Sequence, residues 1–141
     1  MITSNSNDRR AIYKSDGTGN NIRISHNIIR GIISGTSDGA VGIYLYSTNF
    51  KVYVWNNIVY DAYWGIEVSP NGVQPRAVYY VYNNTVINSK SYGILIETES
   101  TANGPGALIM KNNIVQGSNT NYYLYGTGYF ATYLTSNNIS S

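Results

Sequence analysis

Cysteine is absent from the 141 residues, which excludes disulfide bonds and thiolate metal sites. Charged residues make up only 11% of the chain, less than half the usual share. The formal net charge is +2, so no strong field points to nucleic acid or to a membrane surface, and we predict neither partner. No apolar run reaches transmembrane length, and residues 1–10 lack the apolar core of a signal peptide.

Histidine occurs once and proline three times. A single isolated histidine, His26, excludes a Ser-His-Asp catalytic set. Tyrosine is abundant by contrast: fifteen tyrosines and two tryptophans supply nearly all the aromatic content.

An asparagine anchor recurs at intervals of 30, 27, 29 and 25 residues. In four of the five copies another asparagine precedes it, and His26 holds that place in the first copy. Asparagine is depleted in strands but accepts the left-handed backbone of a sharp corner, and stacked amides can bond from one turn to the next. We predict an asparagine ladder formed by the anchors Asn27, Asn57, Asn84, Asn113 and Asn138.

Apolar residues flank each anchor, and a Gly-Ile strand follows in three copies, at Gly42-Ile43, Gly65-Ile66 and Gly93-Ile94. Each repeat therefore reads as three short strands, which bury a core only when repeats stack. The sequence predicts an all-β, single-stranded parallel β-helix of about four rungs. The alternative, a β-sandwich, requires turn signals every 8–12 residues. Asp61 aligns with Gly31, Asn88 and Gly117, so we interpret it as a turn residue.

These repeats resemble the right-handed parallel β-helix repeats of the pectin-lyase-like superfamily. The matching segments are "VWNNIVYDAYWGIEV", "VYNNTVINSKSYGILI" and "MKNNIVQGS". The resemblance implies a right-handed helix and favours an extracellular or periplasmic location. It does not fix an activity, because one fold carries many functions.

The chain reads as a single β-helix domain spanning residues 1–141, or as a fragment of a longer solenoid. Residues 1–10 form a polar segment before the first strand. Neither end carries a capping helix in the sequence, and open β-helix ends expose unpaired backbone. We therefore expect a homo-oligomer, formed through the open ends or through an aromatic face.

Strand alternation places an aromatic shelf on the outer face of the Gly-Ile strands. In family enzymes the substrate groove runs along this face, and aromatic rings and hydroxyls suit an oligo- or polysaccharide. The alternative is that these rings only stabilise the sheet by cross-strand stacking. The candidate sugar-binding residues are Tyr44, Tyr46, Trp64, Tyr92, Tyr123 and Tyr125.

Glu67 and Glu97 are the weak candidates for catalysis. They lie on neighbouring rungs, two residues apart along the strand, with Cα atoms predicted roughly 8 Å apart. Such a pair suits glycoside hydrolysis, and the alternative is two solvated surface glutamates. The remaining acids are dispersed along the chain, so Ca²⁺ has no support and we predict no metal or cofactor.

The strand before each asparagine corner carries a second outward set of large side chains. An apolar patch of this kind is typical of an interface between copies of the chain or of a second sugar-binding surface. The alternative is that these are only stacked tyrosine columns with hydrated hydroxyls. The predicted interface residues are Tyr53, Trp55, Tyr80, Tyr82 and Ile109.

These features predict a carbohydrate-binding or structural β-helix module without a clear catalytic site. Two alternatives stay open: a polysaccharide lyase or glycoside hydrolase, or a piece of one, and a self-assembling scaffold unit.

Overall fold

The structure is a computed structural model that describes residues 9–14, 21–33, 40–46, 51–70, 77–98, 106–126, 130 and 132–141. Its fifteen described strands form three five-stranded sheets, and every strand pairing is parallel. Successive strands of the chain enter the three sheets in turn, so four full turns separate the first and last strands of the first sheet. The prediction of a parallel β-solenoid with three strands per rung is confirmed; its right-handed sense stays a prediction.

Sheet A contains the Gly-Ile strands. A Cβ on Gly65 would lie 2.4 Å from the carbonyl oxygen of Gly93 and from a methyl group of Val86, so the backbone approaches too closely for any side chain. The strands of sheet A are β1 (Arg9–Lys14), β4 (Ala40–Tyr46), β7 (Trp64–Ser69), β10 (Tyr92–Glu97) and β13 (Thr120–Tyr125).

Sheet B leads into the asparagine corners. Its inward residues, among them Val54, Val81 and Met110, are buried in the core. The strands of sheet B are β2 (Ile22–Ser25), β5 (Lys51–Trp55), β8 (Val78–Tyr82), β11 (Ala107–Lys111) and β14 (Thr132–Ser136).

Sheet C follows each corner with very short strands. Its central residues Ile29, Val59, Val86 and Val115 point into the core. The strands of sheet C are β3 (Ile28–Arg30), β6 (Ile58–Tyr60), β9 (Thr85–Ile87), β12 (Ile114–Gln116) and β15 (Ile139–Ser140).

The two residues of each corner pair have different roles. The first residue of the pair adopts the left-handed backbone, with φ between 53° and 59° at His26, Asn56, Asn83, Asn112 and Asn137. The second residue forms the ladder. The Nδ2 atoms of Asn27, Asn57, Asn84 and Asn113 donate to Oδ1 of the next anchor at 2.9, 3.0, 3.0 and 2.8 Å.

A second left-handed position follows each of the first four sheet C strands, β3, β6, β9 and β12. It is occupied by Gly31, Asp61, Asn88 and Gly117, with φ of 70°, 53°, 54° and 68°. Asp61 is thus a turn residue, as its alignment predicts. Its neighbours in the column show that Gly and Asn satisfy the same geometry.

Several predicted segments lie partly outside the described residues. These are the N-terminal segment 1–10, of which only Arg9 and Arg10 are described, and the loops 34–41, 69–76 and 97–106. Strand β1 begins at Arg9, so the last two residues of the predicted polar segment 1–10 belong to the first strand. Across the described ranges, no helix has the length and apolarity needed to span a bilayer.

Candidate functional site

A cavity of about 310 Å³ opens on the outer face of sheet A. We call it the outer cavity. Seven residues line it, six from β4, β7 and β10 and one that directly follows β7: Tyr44, Tyr46, Trp64, Glu67, Ser69, Pro70 and Glu97. Three of the six aromatic residues predicted to bind sugar therefore meet both candidate carboxylates.

Parallel register brings these side chains together. Tyr44 pairs with Glu67 and Tyr46 pairs with Ser69 between β4 and β7. Leu95 pairs with Glu67 between β7 and β10, which places Glu97 one strand up and two residues along from Glu67. This is the relative position that the sequence predicts.

Glu67 is buried, with only 4% of its surface exposed. Leu95, its partner on β10, is 1% exposed and lies outside the main core cluster. The alternative of two solvated glutamates is therefore wrong for Glu67. Strand alternation places Glu67 on the outer side of the sheet, away from the core, but it does not reveal that this part of the outer face is covered.

The surroundings of Tyr44 change the pKa of its phenol. Burial raises its pKa well above the ordinary value, and the negative charge of Glu67 raises that pKa further. The positive charge of Arg10 and a hydrogen bond with Ser69 act in the opposite direction. The Arg10 guanidinium lies over the rings of Tyr13 and Tyr44, at 4.5 and 4.7 Å from their centroids.

Trp64 carries an unsatisfied polar atom. Its indole Nε1 is buried and has no hydrogen-bond partner among the described residues. A buried donor without an acceptor costs about 1–3 kcal/mol. Trp64 lines the outer cavity, but this nitrogen is closed off from solvent and does not face the open space.

The other predicted sugar-binding aromatic residues lie beside the outer cavity on the following strands of sheet A, β10 and β13. The Tyr92 ring lies 5.8 Å from the Trp64 ring, and Tyr92 stacks on Tyr123 at 4.9 Å. Tyr123 is 39% exposed and Tyr125 is 52% exposed, so they form an open edge to the site. Sequence reasoning missed Ser69 and Pro70, because neither residue type signals a binding role by itself.

Within the described residues, no group of three or more His, Asp or Glu side chains could hold a metal ion. Four of the seven acids, Asp8, Asp16, Asp38 and Glu99, lie outside the described residues. Of the three acids that the structure describes, Glu67 and Glu97 line the outer cavity and Asp61 does not.

The aromatic side chains on the outer face of sheet B pack on one another. Tyr53 stacks on Tyr80 at 4.7 Å with an interplanar angle of 3°, and Trp55 stacks on Tyr82 at 6.0 Å. These four rings and Ile109 are each half-buried. The stacking accounts for their cross-strand spacing; their role as an interface stays a prediction.

His26 occupies a corner position, as its alignment predicts, with φ of 59°. Its Nε2 lies 3.2 Å from Nδ2 of Asn56, so the ring continues the outer column of corner side chains. It lies on a different part of the solenoid from the outer cavity and contributes nothing to that site.

No family model, no curated protein and no solved structure matches this chain.

Proposed function

We propose that this protein is a carbohydrate-binding β-solenoid module and that the outer cavity is its binding site. The observation that carries the proposal is the meeting of three aromatic rings and two carboxylates in one cavity on the solenoid surface. The pectin-lyase-like relationship belongs to the same proposal, supported by the three parallel sheets and the asparagine ladder.

The chemistry of the lining matches that of a sugar ring. A sugar presents apolar C–H faces together with hydroxyl groups that donate and accept hydrogen bonds. Tyr44, Tyr46 and Trp64 offer aromatic faces for the former, and Glu67, Glu97 and Ser69 offer partners for the latter. The volume of about 310 Å³ lies at the lower end of ligand pockets, which suits one bound unit of a chain.

The positions of these side chains are set by rigid elements. Five of the seven lining residues lie within β4 and β7, which pair in parallel, and Glu97 ends β10. A site built on strands is preorganised, so little entropy is lost when the ligand orders it. The exposed Tyr123 and Tyr125 extend the surface that a longer oligosaccharide would contact.

A second function, glycoside hydrolysis, is supported by one observation. Glu67 and Glu97 line the same cavity, and paired-carboxylate hydrolysis needs two acids on either side of one bond. Among the described residues that line the outer cavity there is no Lys or Arg, so a cationic base for a lyase reaction has no such support.

Calorimetric titration with neutral, acidic and amino oligosaccharides tests the proposal, with reducing ends and unsaturated products followed in the same samples. Tyr46→Ala removes a wall of the outer cavity. Tyr53→Ala is the matched control, because it removes a half-buried outward tyrosine of the next strand on another face. Saturable binding that Tyr46→Ala weakens and Tyr53→Ala preserves supports the proposal.

Absence of binding to the whole panel contradicts it, and so does equal weakening by both variants. If products form and Glu67→Gln or Glu97→Gln abolishes them without abolishing binding, hydrolysis replaces simple binding as the function.

A further inference from the structure

We infer that the outer face of sheet B binds a linear sulfated polysaccharide. This face lies on other strands than the outer cavity, so the second binding role goes beyond the proposed function and does not depend on it. We call it the sheet B face, and it consists of three cations and four aromatic rings: Arg23, Lys51, Tyr53, Trp55, Tyr80, Tyr82 and Lys111.

Every charged residue in the strands of sheet B is a cation. Arg23, Lys51 and Lys111 alternate with core residues along β2, β5 and β11, and each is exposed on the outer side. None of the three acids that the structure describes belongs to sheet B. Three cations without an acid give this face more positive charge than the +2 of the whole chain, so it attracts anions.

The charges of these three side chains are not engaged elsewhere. Lys90, by comparison, lies over the Tyr63 ring at 5.4 Å from its centroid. In the part of the chain that the structure describes, no hydrogen bond, ion pair or ring contact holds the side chain of Arg23, Lys51 or Lys111. An anion can therefore bind to them without breaking an existing contact.

Parallel register sets the positions of the cations around the rings. Arg23 pairs with Tyr53 between β2 and β5, and Lys111 pairs with Tyr82 between β8 and β11. Lys51 lies two residues before Tyr53 on β5. From the strand and residue spacings, the Cα atoms of Arg23 and Lys111 lie roughly 16 Å apart, with the rings between them. A ligand that meets all three cations is therefore an extended chain of several units.

The aromatic rings of the sheet B face stand on edge. Tyr53 and Tyr80 stack at 4.7 Å with an interplanar angle of 3°, and Trp55 and Tyr82 lie nearly parallel at 6.0 Å. Both stacks join paired residues of β5 and β8, so the ring faces point towards each other and the edges point outward. Ring edges carry partial positive charge and phenol hydroxyls donate hydrogen bonds. The rings therefore add to the attraction for an anion.

The same orientation disfavours two other partners. Single-stranded nucleic acid binds through bases that stack on open aromatic faces, and here the ring faces of Tyr53 and Tyr80 contact each other. An apolar protein surface would have to remove water from three unpaired cations, which is costly. An anionic polysaccharide has neither difficulty, because its charges meet the cations and its hydroxyls meet the phenols.

A sulfate ester fits this face better than a carboxylate. It spreads one negative charge over three oxygen atoms, so less hydration is lost when it moves beside half-buried rings. Its oxygens point in different directions and can accept hydrogen bonds at once from a cation and from a phenol hydroxyl. The face therefore favours a sulfated chain over a carboxylated one.

Three polymers with one backbone provide the test: dextran sulfate, carboxymethyl dextran and unmodified dextran, at matched length and low ionic strength. We expect dextran sulfate to bind about tenfold or more tightly than carboxymethyl dextran. Added salt should weaken this binding steeply, because the polymer releases counterions when it binds. Dextran sulfate should also shift the indole N–H signal of Trp55 in a saturable way, since Trp55 belongs to the face.

Lys111→Gln and Lys90→Gln form a matched pair. Each variant removes one exposed lysine charge, and only Lys111 belongs to the sheet B face. Lys111→Gln should weaken dextran sulfate binding about threefold, and Lys90→Gln should leave it unchanged. Arg23→Gln combined with Lys111→Gln should weaken it about tenfold. All these side chains lie outside the core, so the variants should keep the unfolding midpoint of the unaltered protein.

Four outcomes would overturn the inference. Equal loss from Lys111→Gln and Lys90→Gln would show that the attraction follows net charge alone. Carboxymethyl dextran that binds as tightly as dextran sulfate would remove the preference for sulfate. Tighter binding of a single-stranded oligothymidylate would identify a nucleic-acid surface, and a shift of Trp64 in place of Trp55 would move the polymer to the outer cavity. None of these outcomes changes the titrations with Tyr46→Ala, so failure here and failure of the proposed function are distinguishable.

Discussion

Tyr44 and Glu67 occupy directly paired positions on neighbouring strands of sheet A, and both side chains line the outer cavity. The solenoid thus places a buried carboxylate beside a phenol whose pKa it helps to raise. Neither residue serves the central core, which is formed by the opposite side of the same strands. The outer face of sheet A therefore contains a partly polar cavity that is separate from the core, and we propose that this cavity is the functional site.

The asparagine ladder should dominate stability. Asn84 is fully buried, and its Nδ2 donates to the Val54 carbonyl at 2.9 Å and to Asn113 at 3.0 Å. Its Oδ1 accepts from the backbone N–H and the Nδ2 of Asn57. Asn84→Ala leaves these partners unsatisfied, so we expect a loss of about 3 kcal/mol or more in the free energy of unfolding. Urea denaturation followed by circular dichroism measures it.

Asn138→Ala provides the comparison for that experiment. Asn138 is half-buried in the last corner, so its loss leaves fewer buried groups without partners. We expect a clearly smaller effect. An equal loss in the free energy of unfolding at the two positions would contradict the view that the ladder stabilises the fold because it is buried.

The corner position before the anchor should tolerate glycine and reject a β-branched residue. Asn83 is exposed and has φ of 55°, which is costly for valine and free of strain for glycine. Both substitutions remove the same bond from Asn112. We expect Asn83→Val to lower the midpoint of thermal unfolding well below that of Asn83→Gly. If the two variants unfold together, the left-handed corner is not the constraint at this position.

The close approach of backbone at sheet A should forbid even a methyl group. In Gly65→Ala the new Cβ would meet the Gly93 carbonyl oxygen and the Val86 side chain at 2.4 Å. We expect a loss of about 2 kcal/mol or more, because backbone atoms must shift. Gly31→Asn is the control, since Gly31 has open space around it and Asn88 fills the equivalent position. Its unfolding midpoint should stay close to that of the unaltered protein.

Stability should fall in alkaline solution. Burial raises the pKa of Tyr122 to about 12, and the pKa values of Tyr44 and Tyr133 are raised as well. Each phenol therefore loses its proton more readily in the unfolded chain, where the ordinary value is 10.0. The stabilising contribution is complete below pH 10 and is lost as the pH rises towards 12. Denaturation at a series of pH values measures the decline.

Tyr122→Phe should flatten that decline. The variant also loses the bonds from the phenol to the carbonyls of Asn113 and Ile139, so its stability at neutral pH should be lower. A decline above pH 10 of the same slope in the variant would show that other groups cause it.

The fold could be predicted from the sequence because the asparagine signal is redundant. Asparagine recurs as the ladder anchor at all five corners, and the residue before it, asparagine in four of the five, adopts the left-handed backbone. The turn role of Asp61 followed from the same alignment. These are constraints that act within one rung or between adjacent rungs, and the sequence repeats them.

The outer cavity could be predicted only in part. Strand alternation predicts the side of the sheet on which Glu67 lies. The exposed fractions, 4% for Glu67 and 1% for Leu95, depend on what covers that side. The unsatisfied indole of Trp64 likewise depends on which acceptors lie nearby in space. Leu124 shows the reverse: its position aligns with inward residues, yet it is 39% exposed, because β13 is the edge strand of sheet A.

The most direct test of the binding site uses the two tryptophans of the chain. Trp64 lines the outer cavity, while Trp55 stacks on Tyr82 on the outer face of sheet B and serves as the internal control. In a proton–nitrogen correlation spectrum, with the indole signals assigned by Trp55→Phe, an oligosaccharide that binds in the calorimetric titration should shift the Trp64 indole N–H signal in a saturable way and leave the Trp55 signal unmoved. A shift of Trp55 alone, or no shift of Trp64 at saturating sugar, would contradict the account.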